Sequence, residues 1–285
     1  MELDDAFVAG HEPVVRSRLA ADLRALGVGA GEAPVVMVHT RLSALGWVVG
    51  GAQAVVAALL DALGPAGTLL AYTSWREAPP YGFEAWPPAW RDAFLAEQPP
   101  FDPATAPAAA EVGRLPETVR TWPGALRSRH PDVSFAAVGP RAAWLVADHP
   151  LDEPHGPGSP MAKLVEAGGQ VLLLGAPLGT MTLLHHAEAL ARVPAKRRVS
   201  YSMPMLGPDG RTLWRRFTDI DTDRGAFDYE AVLGPGVDQF EVIVAELLAA
   251  GTGVSGPVGE AMAHLVDAGA AVEFGVAWME ARWSH

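Results

Sequence analysis

The chain has 285 residues, of which 49% are apolar, so it can bury a sizeable core as one large domain or two small ones. It contains no cysteine, which excludes disulfides, thiolate metal ligands and an acyl-cysteine intermediate. Its 33 acidic and 21 basic residues give a net charge of −12, which argues against nucleic acid as a partner. The charge suits a polycationic ligand, or it is the ordinary acidity of a soluble protein.

The sequence carries no pattern typical of secretion or of membrane insertion. Residues 1–5 are acidic where a signal peptide is basic, and no apolar segment follows them. No run approaches the roughly 20 apolar residues that cross a bilayer. We therefore expect a cytoplasmic protein with no membrane partner.

The first part of the chain predicts a strand, a helix and a second strand. Apolar residues at helical spacing over 14–26 indicate a leading helix. A buried strand over 35–38, a helix over 52–63 and a strand over 68–72 then follow. This order and length favour a βαβ unit with parallel strands.

Residues 75–107 differ from the rest because they hold many prolines and several tryptophans with weak periodicity. A segment of this kind inside a domain is typical of a functional insertion. We predict a short helix over 86–96 within it. Further elements are a helix from 113 to about 124, a strand over 135–138 and a helix over 141–148.

The second half predicts further alternation of strands and helices. The predicted elements are a helix over 159–166, a strand over 171–174, a helix that begins near His185, antiparallel strands over 199–204 and 212–217, helices over 240–250 and 257–267, and a strand over 271–276. We expect one α/β domain spanning 1–285. A mixed, largely parallel sheet would lie between helices, with 75–107 as an inserted loop and helical region on the substrate side.

The segment 182–188 (Thr-Leu-Leu-His-His-Ala-Glu) is the most informative part of the sequence. It follows a buried strand and opens a helix, and ligands of α/β proteins usually bind in loops at the carboxyl ends of strands. A histidine there is a candidate general base, and the alternative is a histidine that caps or packs. Glu188 shares a helix face with His185, whereas the adjacent His186 does not and is interpreted as structural.

Four blocks in order along the chain resemble the aminoglycoside 3-N-acetyltransferase family, the antibiotic acetyltransferases outside the common GNAT fold. The blocks are residues 38–46 with 50–53, 101–107 with 113–117, 127–131 with 134–137, and 172–177 with 184–188. The resemblance covers nearly the whole chain. It implies acetyl-CoA as cosubstrate, no metal, and direct transfer of acetyl to the 3-amino group of the deoxystreptamine ring, which confers antibiotic resistance.

The resemblance also implies roles for particular residues. His185 matches the histidine that the family uses as general base, and a carboxylate is expected to orient it. The resemblance places that carboxylate beyond the antiparallel strands, so Asp219 and Asp221 are the candidates. They alternate in an extended segment and share a face. Glu188 is a third catalytic candidate, which lines the cleft or caps the helix.

The cofactor side is predicted from two loops. The loop after the first strand corresponds to the family's coenzyme A contacts and comprises His39, Thr40, Arg41, Leu42 and Ser43. A basic turn holds Arg127, Ser128 and His130; its charge suits coenzyme phosphates or belongs to a surface loop. Thr180, like Thr182, is expected to hold the thioester carbonyl or to cap the helix.

The substrate side should be acidic and aromatic, because an aminoglycoside carries several ammonium groups. Tyr72, Trp75, Asp102 and Glu111 are the candidates, with core packing as the alternative for the aromatic residues. The expected partner is a small polycationic molecule, and the protein is expected to be a monomer or a homodimer.

Three alternatives stay open at this stage. The same acyl transfer can serve a different amine in biosynthesis. A metal-dependent hydrolase built on His185, His186, Glu188 and residues 219–223 uses residue types that suit zinc or manganese, although adjacent helical histidines point apart. A non-catalytic protein that sequesters the drug is the third.

Overall fold

A seven-stranded mixed sheet runs through the protein in a computed structural model that describes residues 10, 12–194 and 196–283. The acidic segment 1–5 lies outside these residues. The strands are β1 (Val35–Thr40), β2 (Thr68–Tyr72), β3 (Leu126–Arg127), β4 (Phe135–Val138), β5 (Gln170–Leu174), β6 (Arg198–Leu206), β7 (Thr212–Ile220), β8 (Val254–Val258) and β9 (Ala261–Asp267). The sheet order is β3-β4-β2-β1-β5-β9-β8, while β6 and β7 form a separate hairpin.

The centre of the sheet is parallel and its flanks are antiparallel. Strand β1 pairs in parallel with β2 on one side and with β5 on the other. Strands β4 and β9 then pair antiparallel with β2 and β5, and β3 and β8 pair antiparallel with them in turn. Five of the seven strands therefore point the same way, as expected for a mixed, largely parallel sheet.

Helices cover both faces of this sheet. They are α1 (Arg16–Leu26), α2 (Gly51–Leu63), α3 (Pro88–Glu97), α4 (Arg114–Arg120), α5 (Ala142–Val146), α6 (Pro160–Glu166), α7 (Leu184–Leu190), α8 (Tyr229–Leu233), α9 (Gln239–Ala249) and α10 (Ala268–Trp283). Among the described residues, no helix has the length and apolar character needed to pass through a membrane.

Alternate residues of the central strands belong to two separate hydrophobic cores, one on each face of the sheet. Val36 and Val38 of β1 pack with apolar side chains of α1, α2 and α4, whereas Val35 and Met37 pack with those of α6, α7, α9 and α10. Because successive strand residues face opposite sides, a strand buried on both faces is apolar throughout, which is why periodicity alone did not distinguish its faces.

The predicted insertion, residues 75–107, contains helix α3 and packs on the β6–β7 hairpin. The backbone of Phe101 bonds to that of Pro204 in β6, and the indole of Trp214 in β7 donates to the carbonyl of Leu95 at 3.1 Å. Trp214 also packs with Phe83 and Phe94 of the insertion. The hairpin and the insertion therefore form one aromatic unit beside the sheet.

Two predicted elements near the C-terminus are wrong. The predicted helix over 257–267 is the β8–β9 hairpin, in which Ala261, Ala263 and Leu265 are buried and Met262 is exposed. That alternation has the period of a strand. The predicted strand over 271–276 lies inside α10, where buried residues recur at helical spacing.

Helix α7, which carries His185, is held closely by α10. A Cβ atom at Gly275 would meet the Cβ of Ala187 at 2.9 Å and a methyl carbon of Leu184 at 3.0 Å. The missing side chain at Gly275 lets the two helices approach, so the position of the candidate base depends on a glycine in another helix.

Candidate active site

A cavity of about 580 Å³ opens at the carboxyl ends of the three parallel strands β1, β2 and β5. Its lining comes from the loops that follow these strands, from the start of α4, and from α7 and α9. The lining residues are Val38, His39, Thr40, Arg41, Leu42, Ser43, Tyr72, Glu111, Val112, Gly113, Arg114, Pro116, Ala176, Pro177, Gly179, Thr180, Thr182, His185 and Phe240. Ligands of open α/β sheets bind at this edge.

His185 is part of a hydrogen-bonded pair within one turn of α7. Its Nδ1 lies 2.7 Å from Oε2 of Glu188, which is completely buried, while the imidazole side chain keeps 20% of its exposure. A carboxylate only accepts hydrogen bonds, so the proton of the neutral ring sits on Nδ1 and Nε2 keeps a free lone pair. The ring also packs edge-on against Phe240, with centroids 4.7 Å apart.

The expected pairing of His185 with Asp219 or Asp221 is wrong. Oδ2 of Asp219 lies 2.6 Å from Nδ1 of His155, and both side chains are buried. Asp221 accepts a hydrogen bond from the backbone of Arg224 at 2.9 Å and closes a turn. The local partner at the third position along the helix is already in place, so no distant carboxylate is needed at Nδ1.

His155 is a neighbour that the sequence reasoning did not identify. Its ring centroid is 5.2 Å from that of His185, and its backbone carbonyl accepts a hydrogen bond of 2.6 Å from Nδ1 of His186. His186, the neighbour of His185 in the sequence, is thus held by a structural hydrogen bond, in line with its interpretation from the sequence, and burial lowers its pKa. Nothing local marks His155, because its contacts are with residues far along the chain.

The loop after β1 lines the cavity over the whole predicted stretch, residues 39–43. Burial lowers the pKa of His39 to about 4, so this ring is neutral at pH 7. Its Nε2 is buried and has no hydrogen-bond partner among the described residues. The hydroxyl of Thr40 donates to the carbonyl of Leu174 at 3.1 Å, which ties the end of β1 to that of β5.

Two exposed arginines at the cavity supply positive charge. Arg41 follows β1, and Arg114 begins α4 across the cavity lining. In the described part of the chain neither guanidinium forms an ion pair with a carboxylate. Arg114 was missed from the sequence, although it stands in one of the blocks that carry the family resemblance.

The basic turn at 127–131 does not face the cavity, so its predicted role at coenzyme phosphates is wrong. The guanidinium of Arg127 is buried and donates to the carbonyls of Thr73 (2.7 Å), Ser74 (3.2 Å) and Ala106. Burial, followed by the charge of Arg120, lowers its pKa to about 10. Arg127 therefore ties the insertion to the end of β2.

Ser128 and His130 are buried beside it and are fully engaged within the protein. The Ser128 hydroxyl lies 3.0 Å from Nδ1 of His149 and accepts from the backbone of Phe135. The ring of His130 accepts from the backbone of Val133 at 2.9 Å, and burial lowers its pKa well below the usual value. Both residues stabilise the turn, and neither is among the residues that line the cavity at the ends of β1, β2 and β5.

Of the predicted substrate residues, the structure brings two to the cavity. Tyr72 and Glu111 line it. Trp75 is buried against Phe101 and Ala106, and the carboxylate of Asp102 caps its own turn through the backbone of Ala104 at 2.9 Å. Trp75 and Asp102 are thus wrongly predicted, because a core tryptophan and a turn aspartate look like ligand contacts in sequence.

Thr180 lines the cavity without capping α7. Its hydroxyl donates to the carbonyl of Pro177 at 2.7 Å, and the hydroxyl of Thr182 lies 3.4 Å from the carbonyl of Thr180. Helix α7 has no side-chain cap. These two hydroxyls fix the loop between β5 and α7, which sets where His185 enters the cavity.

Comparison with known proteins places this site in a family context. A family model described as aminoglycoside 3-N-acetyltransferase matches residues 37–280. The chain is 57% identical over 270 residues to aminoglycoside N(3)-acetyltransferase VIII of Streptomyces fradiae, with 95% of this chain and 93% of that protein covered.

Solved structures are similar over the same extent. The crystal structure of the aminoglycoside acetyltransferase AAC(3)-Xa superposes with a TM-score of 0.92 at 56% identity and covers 95% of this chain and 94% of its own. The structure of AAC-IIIb binary with CoASH has a TM-score of 0.85 at 45% identity and covers 95% of this chain and 98% of its own.

Proposed function

Because the chain belongs to the aminoglycoside 3-N-acetyltransferase family, we propose that it transfers the acetyl group of acetyl-CoA to the 3-amino group of an aminoglycoside's deoxystreptamine ring. The transfer is direct, with His185 as general base. The observation that carries this proposal is the pair of His185 and buried Glu188, whose free Nε2 belongs to a ring that lines the cavity.

The amine must lose a proton before or as it attacks, since an ammonium has no lone pair. Nε2 of His185 accepts that proton, and the resulting imidazolium is stabilised by Glu188 through Nδ1 at 2.7 Å. As the C–N bond of the amide forms, the C–S bond of the thioester breaks, and coenzyme A leaves as a thiolate that takes up the proton. The edge-on ring of Phe240 limits rotation of the imidazole. In this account no residue of the chain is acetylated.

Acetyl-CoA, the second substrate, supplies an activated acetyl thioester with a phosphate-bearing tail. Arg41 and Arg114 are charged groups at the cavity, and their guanidinium groups suit phosphates. Val112 and Pro116 also line the cavity and offer apolar contacts for a pantetheine chain. The binary complex of AAC-IIIb with CoASH supports acetyl-CoA as the cosubstrate.

A polycationic amine requires acidic groups at its site, and Glu111 lines the cavity beside Tyr72 and Arg114. Burial, followed by the charges of Asp132, Glu111 and Asp219, raises the pKa of Tyr72. Of these three carboxylates Glu111 lines the cavity, while Asp132 accepts from Tyr81 and Asp219 pairs with His155. A net charge of −12 increases the encounter rate with a cationic substrate and makes it sensitive to salt.

Acetylation removes one positive charge and one strong donor from the antibiotic. Binding to ribosomal RNA, which depends on contacts with phosphates, is weakened, and resistance follows. We place the protein in the cytoplasm, where acetyl-CoA is present, as one domain with residues 75–107 on the substrate side.

The test is release of free thiol from acetyl-CoA in the presence of gentamicin, kanamycin, neomycin and apramycin, with the product analysed by mass spectrometry and NMR. We expect coenzyme A release with at least one of these drugs and a single acetyl group on the 3-amino nitrogen. Coenzyme A binding without release for any of them contradicts the proposed substrate and favours a different amine. Acetylation at another nitrogen contradicts the regiochemistry.

A further inference from the structure

Tyr229 supports the candidate catalytic pair from a separate segment of the chain. It is the first residue of α8, its ring is 5% exposed, and it packs edge-on against Phe227 and Trp283. Its hydroxyl lies 2.6 Å from Oε1 of Glu188. Nothing in the local sequence indicates this contact, because 41 positions separate the two residues.

The two oxygens of Glu188 have two different partners. Oε2 accepts from His185 at 2.7 Å, and Oε1 accepts from Tyr229 at 2.6 Å. Within the residues that the structure describes, no other group bonds to this carboxylate. A buried carboxyl group is costly unless its hydrogen bonds are satisfied, and the Tyr229 hydroxyl supplies one of the two that the Glu188 carboxyl group accepts.

We propose that Tyr229 is a positioning residue of the active site, which holds the plane of the Glu188 carboxylate so that Oε2 faces Nδ1 of His185. The terminal torsion of a glutamate is soft, so one hydrogen bond leaves the carboxylate free to turn about it. A second bond from a rigid aromatic donor fixes both oxygens. Since Tyr229 acts through His185, this role rests on the proposed function.

The surroundings of Tyr229 favour a donor that stays protonated. Burial, followed by the charge of Glu188, raises the pKa of the Tyr229 hydroxyl, which therefore keeps its proton throughout the working pH range. The backbone at Gly225 packs closely against the same ring, since a Cβ atom there would lie 3.0 Å from Cδ2 of Tyr229. The hydroxyl is thus delivered to Glu188 by packing that does not depend on the hydrogen bond.

The test is Tyr229→Phe, which removes only the hydroxyl. We expect kcat to fall about 10-fold to 100-fold, by analogy with the loss that follows when a group that orients a metal-bound histidine is removed. KM for both substrates should stay within about twofold. Because Oε1 of Glu188 loses its donor, more negative charge faces His185 and favours the protonated imidazolium, which cannot act as a base. The acid limb of the kcat/KM profile should therefore move to higher pH.

The matched control is Tyr201→Phe. Tyr201 is also buried, and its hydroxyl, which lies near the carboxyl of Asp132, forms no hydrogen bond of normal geometry among the described residues. The same chemical change there should leave kcat, KM and the pH profile as in the wild type. Thermal unfolding of both variants separates loss of the fold from loss of positioning.

A double-mutant cycle with Glu188→Gln decides whether Tyr229 acts through Glu188. We expect Tyr229→Phe to cost at least 10-fold in the wild type. In the Glu188→Gln background it should cost nothing or raise the rate, because the amide is then free to turn its oxygen towards Nδ1 of His185. Equal losses in the two backgrounds, an unmoved acid limb, or wild-type kcat in Tyr229→Phe would each overturn the role. If Tyr229→Phe does not fold, 4-aminophenylalanine at position 229 is used instead, because its amino group restores a donor to Glu188. A kcat of that variant as low as the kcat of Glu188→Gln would overturn the positioning role.

Failure of this inference is distinguishable from failure of the proposed function. If His185→Gln abolishes turnover while Tyr229→Phe matches the wild type, only the positioning role is wrong. If His185→Gln retains turnover, general-base catalysis by His185 is wrong, whatever Tyr229→Phe shows.

Discussion

Replacing Glu188 by glutamine keeps the shape of the side chain and removes its charge. In the wild type the carboxylate accepts from His185 at 2.7 Å and from Tyr229 at 2.6 Å, and it is fully buried. The amide has one acceptor and one donor end. The consequence of the change therefore depends on which end faces the imidazole.

The structure decides that orientation. The Tyr229 hydroxyl has no other partner in the described chain, so it continues to donate to the amide oxygen, and the amide nitrogen then faces Nδ1 of His185. Two donors cannot face each other, so the ring moves its proton to Nε2, the nitrogen that must accept the proton of the amine. A tautomer error of this kind costs about 10⁴-fold in serine proteases, or about 5.5 kcal/mol at 1.36 kcal/mol per tenfold change.

The assay is thiol release under saturating acetyl-CoA and aminoglycoside, with acetyl-CoA binding measured by calorimetry. We expect Glu188→Gln to lose about 10³-fold to 10⁴-fold in kcat with acetyl-CoA affinity within about twofold of the wild type. Glu188→Asp, which keeps the charge but shortens the reach, should retain more activity. A Glu188→Gln enzyme within tenfold of the wild type would refute the reasoning from the tautomer.

Three further predictions follow from other parts of the molecule. Arg127→Met leaves buried carbonyls without a donor and should lower the free energy of unfolding by about 3–5 kcal/mol in urea titrations. A loss under about 1 kcal/mol would contradict the role of Arg127 in tying the insertion to the end of β2. Burial lowers the pKa of His149 to about 4 in the folded protein. As the pH falls from 6.5 to 4, the unfolded chain therefore binds a proton at this histidine before the folded chain does. This residue alone should lower the free energy of unfolding by about 3 kcal/mol over that interval. Urea midpoints that do not change over this interval contradict that assignment. Arg114→Ala should raise KM for acetyl-CoA about 10-fold at unchanged kcat, whereas an unaltered KM removes Arg114 from the phosphate site.

The sequence predicted best what depends on neighbouring residues. Most helices and strands, including the two strands of the β6–β7 hairpin, lie within a few residues of the predicted bounds. The shared helix face of His185 and Glu188 follows from a spacing of three residues, and the structure joins them at that spacing. The loop over 39–43 follows a buried strand, so its place at the carboxyl end of the sheet could be inferred.

The wrong predictions of site residues concern side chains whose contacts are with distant segments of the chain. Asp219 pairs with His155, 64 positions away, and Arg127 bonds to carbonyls brought in by the insertion. A cluster of charge in the sequence does not reveal whether it faces a ligand or fills a gap between two segments. Tyr229 carries no local signal at all, because its function is defined only by the oxygen that it meets.

The prediction for the β8–β9 hairpin was wrong for a different reason. Residues 257–267 are rich in alanine and valine, which suit either a helix or a strand in isolation. Pairing of β9 with β5 at the flank of the central sheet decides the outcome, and that partner lies about a hundred residues earlier. Tertiary pairing thus overrides a local preference that is weak by itself.

The most direct test of general-base catalysis compares the wild type with His185→Gln. The matched control is His264→Gln on strand β9, a histidine that does not line the cavity. Single-turnover acetyl transfer is measured with acetyl-CoA and aminoglycoside bound, and binding of each is measured separately. The account predicts that His185→Gln binds acetyl-CoA as the wild type does and loses at least about 10²-fold in the transfer rate, while His264→Gln keeps the full rate. Transfer by His185→Gln at the wild-type rate would contradict the account.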